Sequence, residues 1–355
     1  MALSKSYRND SFLQLLLKAA QKAFNSLLAL SKNSTIHSPL TKQPVMDTAE
    51  IIRLAERLEQ ISGKVSANLK QSEAMRQGEQ TSRFMGAGLE YEESRLYQPG
   101  DEIRRINWRL MARTGQAYTK LFQEERQENW FILVDHRATM RFGSRKRLKA
   151  TQAVRVAGYY AWLAQQQGLP LSCALIGEGL QISPSFEGKS SYMHVMQHLS
   201  QPCPPLSAQQ SRQEPRFNDI LIRLKPRLMP GTRLLIISDF HDIDNKTSEI
   251  LTAMQDQVAI KAVWIRDAVE NRLPNVEGLQ LQSIGNAQTY QLSGQQAQQQ
   301  YQEWSKQQLD KNSALLQQAN CKLYLLAADS DLTTINQALN PLIWNAEQHT
   351  VTTQA

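Results

Sequence analysis

Cysteine is scarce in this 355-residue chain. Cys173, Cys203 and Cys321 are its three cysteines, and no two form a CxxC pair. That excludes a disulfide scaffold and a cysteine-type zinc module, and it fits a reducing compartment. No run reaches about 18 apolar residues, so the usual signature of a membrane-spanning helix is missing. The 16 glycines and 13 prolines follow no collagen-like period. A strong charge of one sign is missing too. Lys and Arg number 40 against 33 Asp and Glu, for a net +7, and residues 1–45 hold six bases against Asp10, which is +5 of that total. The rest is near balance, so the chain as a whole carries no basic field for a nucleic-acid partner.

With 41% hydrophobic and 21% charged residues, the chain can bury a sizeable core, and its length suggests about two domains. Residues 1–45 read as a basic arm and linker. Within residues 11–31, Leu13, Leu16, Leu17, Ala20, Phe24, Leu27 and Leu28 keep a helical period, while Lys18 and Lys22 interrupt it. The lysines argue for an amphipathic helix rather than a secretory signal. Such a helix can dock on its own domain, lie on an anionic membrane or enter a partner's groove. Residues 46–83 form a lead-in segment with a helix over about 47–72, capped by Asp47 and Glu50 and striped by Ile51, Leu54, Leu58 and Ile61. Residues 84–128 form a small β-rich module. Its turn signal is Gln98-Pro99-Gly100-Asp101, and short strands are expected around Tyr91, Tyr97, Ile103, Ile106 and Trp108.

From 129 to 345 strands alternate with helices, ahead of a tail at 346–355. NWFILVD (129–135) and RLLIISD (233–239) are continuous apolar runs ending in an acid, as buried parallel strands do. Helices are expected at 148–167, 190–200, 218–228, 246–256, 294–319 and 331–343. LSCALIGEGLQIS reads as a hairpin, and further strands as 258–265, a pair near 279–292, and 321–327. The fold class is α/β, a mostly parallel sheet with one antiparallel edge strand. Ligands of such sheets bind beyond the carboxyl ends of strands where the strand order reverses. If the two acid-ended strands are neighbours there, Asp135, Thr139, Ser238 and Asp239 share one crevice, and oxygen groups of that kind suit a hard cation such as Mg²⁺.

The segments EYEESRLYQPGDEIRRINWRLMARTGQAYTKLFQEER, FILVDHRATMRFG and LLIISDF, within residues 84–345, resemble the bacterial "domain of unknown function 58" family. Its core is similar to von Willebrand factor A domains. The resemblance implies a metal-ion-dependent adhesion site built from a DxSxS motif, a Thr from a later loop and a distal Asp. Here Asp135 and Asp239 match, Thr139 is a tolerable hydroxyl, Arg137 replaces the first Ser, and Phe217 and Asn218 stand where a Thr is expected. Arg137 brings a permanent cation and no acceptor, so it can pair with Asp135 or Asp239 and take the cation's role. The expectation is a degenerate site with no cofactor; if Mg²⁺ binds, Asp135, Thr139 and Asp239 hold it. His136, His241 and Asp242 lie close enough in sequence to keep a transition metal open. The resemblance further implies a non-enzymatic, cytoplasmic adaptor working with a MoxR-type AAA+ ATPase to mature or remodel an unknown client complex. A peripheral membrane contact through residues 11–31 would be compatible with it.

Two basic clusters are candidate interaction surfaces. Arg104, Arg105, Arg109 and Arg113 lie beside Asp101 and Trp108 in the signature segment, and Arg141, Arg145, Lys146, Arg147 and Lys149 follow the Asp135 loop. They are either paired internally or free to grip an acidic protein or phosphates. The alternatives to the adaptor are a divalent-metal phosphohydrolase using Asp135 and Asp239, and a nucleic-acid binder using these clusters. SPSFEGKSS (183–191) lacks the first glycine of a phosphate-binding loop, and the His194/His198 pair lacks the Glu of HExxH, so neither motif is counted.

Overall fold

The computed structural model describes residues 43–62, 85–123, 129–204, 214–274, 279–282, 289–292 and 294–339. The amphipathic helix expected in residues 11–31, the end of the lead-in helix past Ser62 and the terminal helix past Leu339 lie outside them. Residues 62–127 make one compact unit, and the flanking stretches make a second.

The larger unit is built on a six-stranded sheet. Its strands are β3 (Trp130–Asp135), β4 (Leu171–Ile176), β5 (Leu180–Ile182), β6 (Arg233–Ser238), β7 (Ala259–Arg266) and β10 (Lys322–Ala327), following β1 (Met85–Leu96) and β2 (Tyr118–Gln123) of the smaller unit. Their order is β10-β7-β6-β3-β4-β5, and β5 alone runs antiparallel. This is the α/β, mostly parallel sheet with one antiparallel edge strand expected from the sequence. All six residues of β3 are buried, which is why the run has no polar alternation. Ile132 and Val134 pack on one face, with α1 (Thr48–Ser62), α3 (Lys149–Gln166), α4 (Ser191–Leu199) and α9 (Leu332–Leu339). Phe131 and Leu133 pack on the other, with α5 (Phe217–Leu224), α6 (Asn245–Gln255) and α8 (Gly294–Gln318). α7 (Ala268–Asn271) is a single turn after β7, and β8 (Leu279–Gln282) pairs with β9 (Thr289–Leu292). No helix among the described residues is long and apolar enough to cross a membrane.

α1 starts where expected. Asp47 accepts from the Glu50 amide at 2.7 Å and Glu50 from the Asp47 amide at 3.0 Å, a reciprocal cap. Its Ile51, Leu54 and Leu58 stripe is buried in the core of the α/β unit.

The smaller unit pairs β1 (Met85–Leu96) with β2 (Tyr118–Gln123), and its helix α2 is Trp108–Thr114. The turn signal holds: the Asp101 amide donates to the Gln98 carbonyl at 3.0 Å, and Gly100 sits at φ +112°, which glycine tolerates at the third position of a type II turn. The short strands expected around Ile103 and Trp108 do not form. Ile103–Arg105 is a 3₁₀ turn, Trp108 begins α2, and Ile106 makes only an isolated bridge to Thr119. The Asn107 side chain accepts from the Leu110 amide at 3.1 Å and Gly115 adopts the left-handed C-terminal position, so local capping outweighed the β propensity of the aromatic and branched residues.

Gly158 lies where α3 passes α1 and α4. A Cβ there would meet Leu54 Cδ2 at 2.8 Å and Met196 Cε at 3.1 Å. Gly158→Val is expected to destabilise the protein by about 1–3 kcal/mol through overpacking. Urea unfolding checks this; an unchanged midpoint would show that Leu54 and Met196 swing aside freely.

Candidate functional site

The strand order reverses between β3 and β6, which lie side by side as parallel neighbours. Asp135 ends β3 and Asp239 follows β6, so the two acids meet at the crevice the topology predicts.

Arg137 turns back over its own strand. Its Nε lies 3.1 Å from Asp135 Oδ1, one terminal nitrogen 2.8 Å from Oδ2, and its backbone amide 2.9 Å from Oδ1. The other face of the guanidinium grips Asp242 through two bonds, of 2.7 and 2.9 Å. It also donates to the Pro215 carbonyl at 3.3 Å and sits 5.5 Å from the centre of the Phe217 ring. Of the two residues standing where the resemblance implies a Thr, Phe217 thus lies against the guanidinium and Asn218 donates to Asp244 at 2.9 Å. Burial opposes the charge on Arg137, but the Asp135 and Asp242 carboxylates outweigh it and raise its pKa further. Ser238 completes the group, donating to Asp135 Oδ2 at 2.7 Å.

Asp239 has a cation of its own. Lys149, at the start of α3, donates to Asp239 Oδ2 at 2.7 Å and also to Glu270. Burial opposes ionisation of Asp239, yet Lys149 and His241 hold its pKa well below the usual carboxylate range. His241 Nδ1 lies 2.9 Å from Asp239 Oδ1 and 3.0 Å from Thr139 Oγ1. Burial works against the charged imidazole, but neighbouring Asp239 raises its pKa overall. The same ring nitrogen faces the acid and the hydroxyl, whereas a proton relay of the Ser-His-Asp kind needs opposite ring nitrogens. Between them, Phe240 adopts φ +47°, uncommon for a bulky residue. Its amide donates to Ser238 Oγ at 3.1 Å and its carbonyl accepts from Asn312 at 2.8 Å, which holds the turn that presents Asp239 and His241.

The crevice therefore brings together Asp135, Arg137, Thr139, Ser238 and Asp239, and adds Lys149, His241 and Asp242. The donor set fits a cation poorly. All four oxygens of Asp135 and Asp239 already accept from protein groups, and two permanent cations stand among them. Among the described residues no three His, Cys, Asp or Glu side chains are arranged to hold a metal.

Lys149 was hidden in the sequence by its company, since it ends a run of basic residues. Its signal was helical phase: Lys149, Ala153, Ala157 and Tyr160 share the buried stripe of α3. Much of that run is committed inside the fold. Arg141 donates to the His136 carbonyl at 2.9 Å, Arg147 to the Ser330 carbonyl at 2.8 Å, and Arg145 pairs with Asp329 at 3.1 Å. Asp101 is also engaged, fastening the type II turn with bonds from Arg95 at 2.6 Å, the Gln98 amide at 3.0 Å and Thr119 at 3.1 Å. Trp108, Arg104, Arg109 and Arg113 are exposed; the side chain of Arg105 lies outside the described residues. Ser183 of the motif resembling a phosphate loop bonds the Cys173 amide at 2.9 Å, and His194 stacks on Phe186.

The pattern of the family described as "Protein of unknown function DUF58" matches residues 93–311, more than half of the chain. Uncharacterized proteins of Mycobacterium bovis and Mycobacterium tuberculosis are 29% identical over 212 residues, which is 58% of this chain and 63% of theirs. The chain thus spans less than two thirds of the length of these relatives. YeaD of Bacillus subtilis, also uncharacterized, is 30% identical over 106 residues, 30% of this chain and 25% of its own. Among solved structures, the conserved hypothetical protein BatB from Bacteroides thetaiotaomicron aligns with a TM-score of 0.39 at 11% identity, over 59% of this chain and 94% of that one. A von Willebrand factor type A protein from Catenulispora acidiphila aligns at 0.30 with 10% identity, over 41% and 34% respectively.

Removing Arg137 leaves Asp135 buried without its main partner. Arg137→Met is expected to cost about 3–5 kcal/mol, and adding Asp135→Asn to regain much of it. Urea unfolding of the single and double variants checks this, and strictly additive losses would contradict the pairing.

His136 gives the crevice an acid limit. Burial lowers its pKa to about 4, so the folded protein keeps it neutral while the unfolded chain binds a proton near pH 6.5. Its contribution is complete above pH about 6.5 and is lost as pH falls toward 4, at up to about 1.4 kcal/mol per pH unit. Unfolding midpoints of the wild type and His136→Gln across that window should diverge in slope; parallel curves would remove His136 as the source.

Proposed function

Since the chain belongs to the DUF58 family, whose function is unknown, we propose from its geometry that it is a non-enzymatic protein-interaction adaptor carrying a degenerate metal-ion-dependent adhesion site. The observation that carries this reading is the commitment of Asp135 and Asp239 to Arg137 and Lys149. An internal guanidinium and ammonium supply the positive charge that a divalent ion would supply, so the crevice is a fixed scaffold that needs no cofactor. A metal-dependent phosphohydrolase would need those same oxygens free to hold its ion.

Partner contacts then fall to surfaces still open. In the smaller unit Ile103 is 64% exposed, Trp108 60% and Leu96 56%, and no residue of α2 is buried. Arg104, Arg109 and Arg113 make no ion pair among the described residues. Exposed Trp and Arg beside apolar side chains are the composition of interface hot spots, and their charge calls for an acidic partner surface. The family resemblance suggests a MoxR-type AAA+ ATPase as that partner, with the client complex open. Nucleic acid is disfavoured, because much of the second basic cluster is spent within the fold.

The test is binding of the full-length chain to the MoxR-type ATPase of the same organism. Trp108→Ala and Arg109→Glu are each expected to weaken binding about tenfold or more, with circular dichroism unchanged. Calorimetric titration of the chain alone with Mg²⁺ is expected to show no stoichiometric uptake. Wild-type affinity in both variants would sink the proposed surface, and stoichiometric Mg²⁺ would sink the metal-free crevice.

A further inference from the structure

Beside the Asp239 turn, beyond the carboxyl ends of β6 and β7, lies a cavity of about 80 Å³ roofed by α8. Its lining includes Arg266 from the end of β7, His241, and Tyr301, Trp304 and Gln308 from one face of α8. The roof is pinned on both sides, since Ser305 bonds the Glu270 carbonyl and Asn312 the Phe240 carbonyl.

Arg266 is the anomaly of this pocket. It donates to Ser305 Oγ at 2.8 Å and to the Glu270 carbonyl at 3.3 Å, and it lies 5.7 Å from the centre of the Trp264 ring. Among the described residues it has no carboxylate within ion-pair distance. Burial lowers its pKa, and the nearby Glu270 carboxylate and Tyr301 offset only part of that. The acids that line the cavity make no ion pair with it, and Glu270 acts on it only from a distance. Asp239 is taken by Lys149 and His241, and Glu270 by Lys149 and the Asp267 amide. Tyr301, Trp304 and Gln308 line the same space, and their side chains make no hydrogen bond among the described residues. A half-buried guanidinium that lines a cavity and has no ion-pair partner among the described residues is placed to take an anion there.

We propose that this pocket receives one carboxylate, from an aspartate or glutamate side chain of a partner protein, with Arg266 as its counter-ion. The volume admits a single side-chain head group and is far below the several hundred Å³ of a cofactor or nucleotide site. Asp239 and Glu270 close by would repel a phosphate dianion, for which one unpaired guanidinium is too little charge. The Trp264, Tyr301 and Trp304 rings fit the apolar stem of the entering side chain. The inference deepens the adaptor reading and rests on it, adding an acidic anchor residue on the partner.

The test uses the full-length chain without any partner, so it stands apart from the ATPase-binding experiment. Tryptophan fluorescence is titrated with acetyl-aspartate amide, with the neutral, isosteric acetyl-asparagine amide as control, and with methyl phosphate, all at constant ionic strength. The expected result is a saturable response to the aspartate derivative alone. It should weaken about tenfold or more in Arg266→Gln and about threefold in Gln308→Leu, a half-exposed position that leaves the fold intact if the arginine variant does not fold. Equal responses to the two amides, or an undiminished response in folded Arg266→Gln or in Gln308→Leu, would overturn the pocket. Tighter binding of methyl phosphate would overturn the carboxylate assignment. Trp108→Ala should bind the aspartate derivative like the wild type, whatever its affinity for the ATPase, and a loss there would overturn the site's location.

Discussion

The ion pair between Asp135 and Arg137 sets the terms for everything around it. A carboxylate at the end of a fully buried strand would be costly alone, and its neighbour two residues on supplies both a guanidinium and a backbone amide. Once that guanidinium is buried, its far side needs a partner as well. Asp242, from the loop after β6, meets it, and Asp242 in turn accepts from the Phe217 amide at 3.0 Å. One buried carboxylate thereby ties β3, β6 and the start of α5 together at the point where the strand order reverses.

The same logic repeats a few residues away with different groups. Asp239 is balanced by Lys149 from α3 and reaches Glu270 of α7 through that lysine, so the loops after β6 and β7 are cross-linked by charge. In each network one cation is shared between two carboxylates, Arg137 between Asp135 and Asp242 and Lys149 between Asp239 and Glu270. Such an arrangement favours recognition by shape and by single well-placed charges over chemistry that must change protonation or exchange a ligand. The exposed side of the smaller unit has the opposite character, with large apolar side chains and, on a helix that buries none of its residues, arginines that make no ion pair among the described residues.

Much of the architecture could be read from the chain alone because buried parallel strands and amphipathic helices leave strong periodic marks. The runs ending in Asp135 and Asp239, the α3 stripe and the Asp47–Glu50 cap all did so. The smaller unit was harder. Ile103, Ile106 and Trp108 have strand-like side chains, but Asn107 and Gly115 cap a helix whose boundaries depend on two hydrogen bonds and one left-handed residue. The pairing of Arg137 with Asp135 was legible because the two stand two residues apart at the end of one strand. Lys149 was not, because its role depends on a helix carrying it to a strand end 90 positions later in the chain.

Taken alone, the sequence determined the α/β class with its mostly parallel sheet, the two buried strands that end in acids and the presence of an arginine two residues after the first of them. These follow from local pattern and topology rules that need no side-chain coordinates. Only the tertiary structure decided which charges cancel, which arginine is left facing an open pocket and which basic residues reach solvent. Burial and distance fix those outcomes, and both are properties of residues brought together from distant parts of the chain.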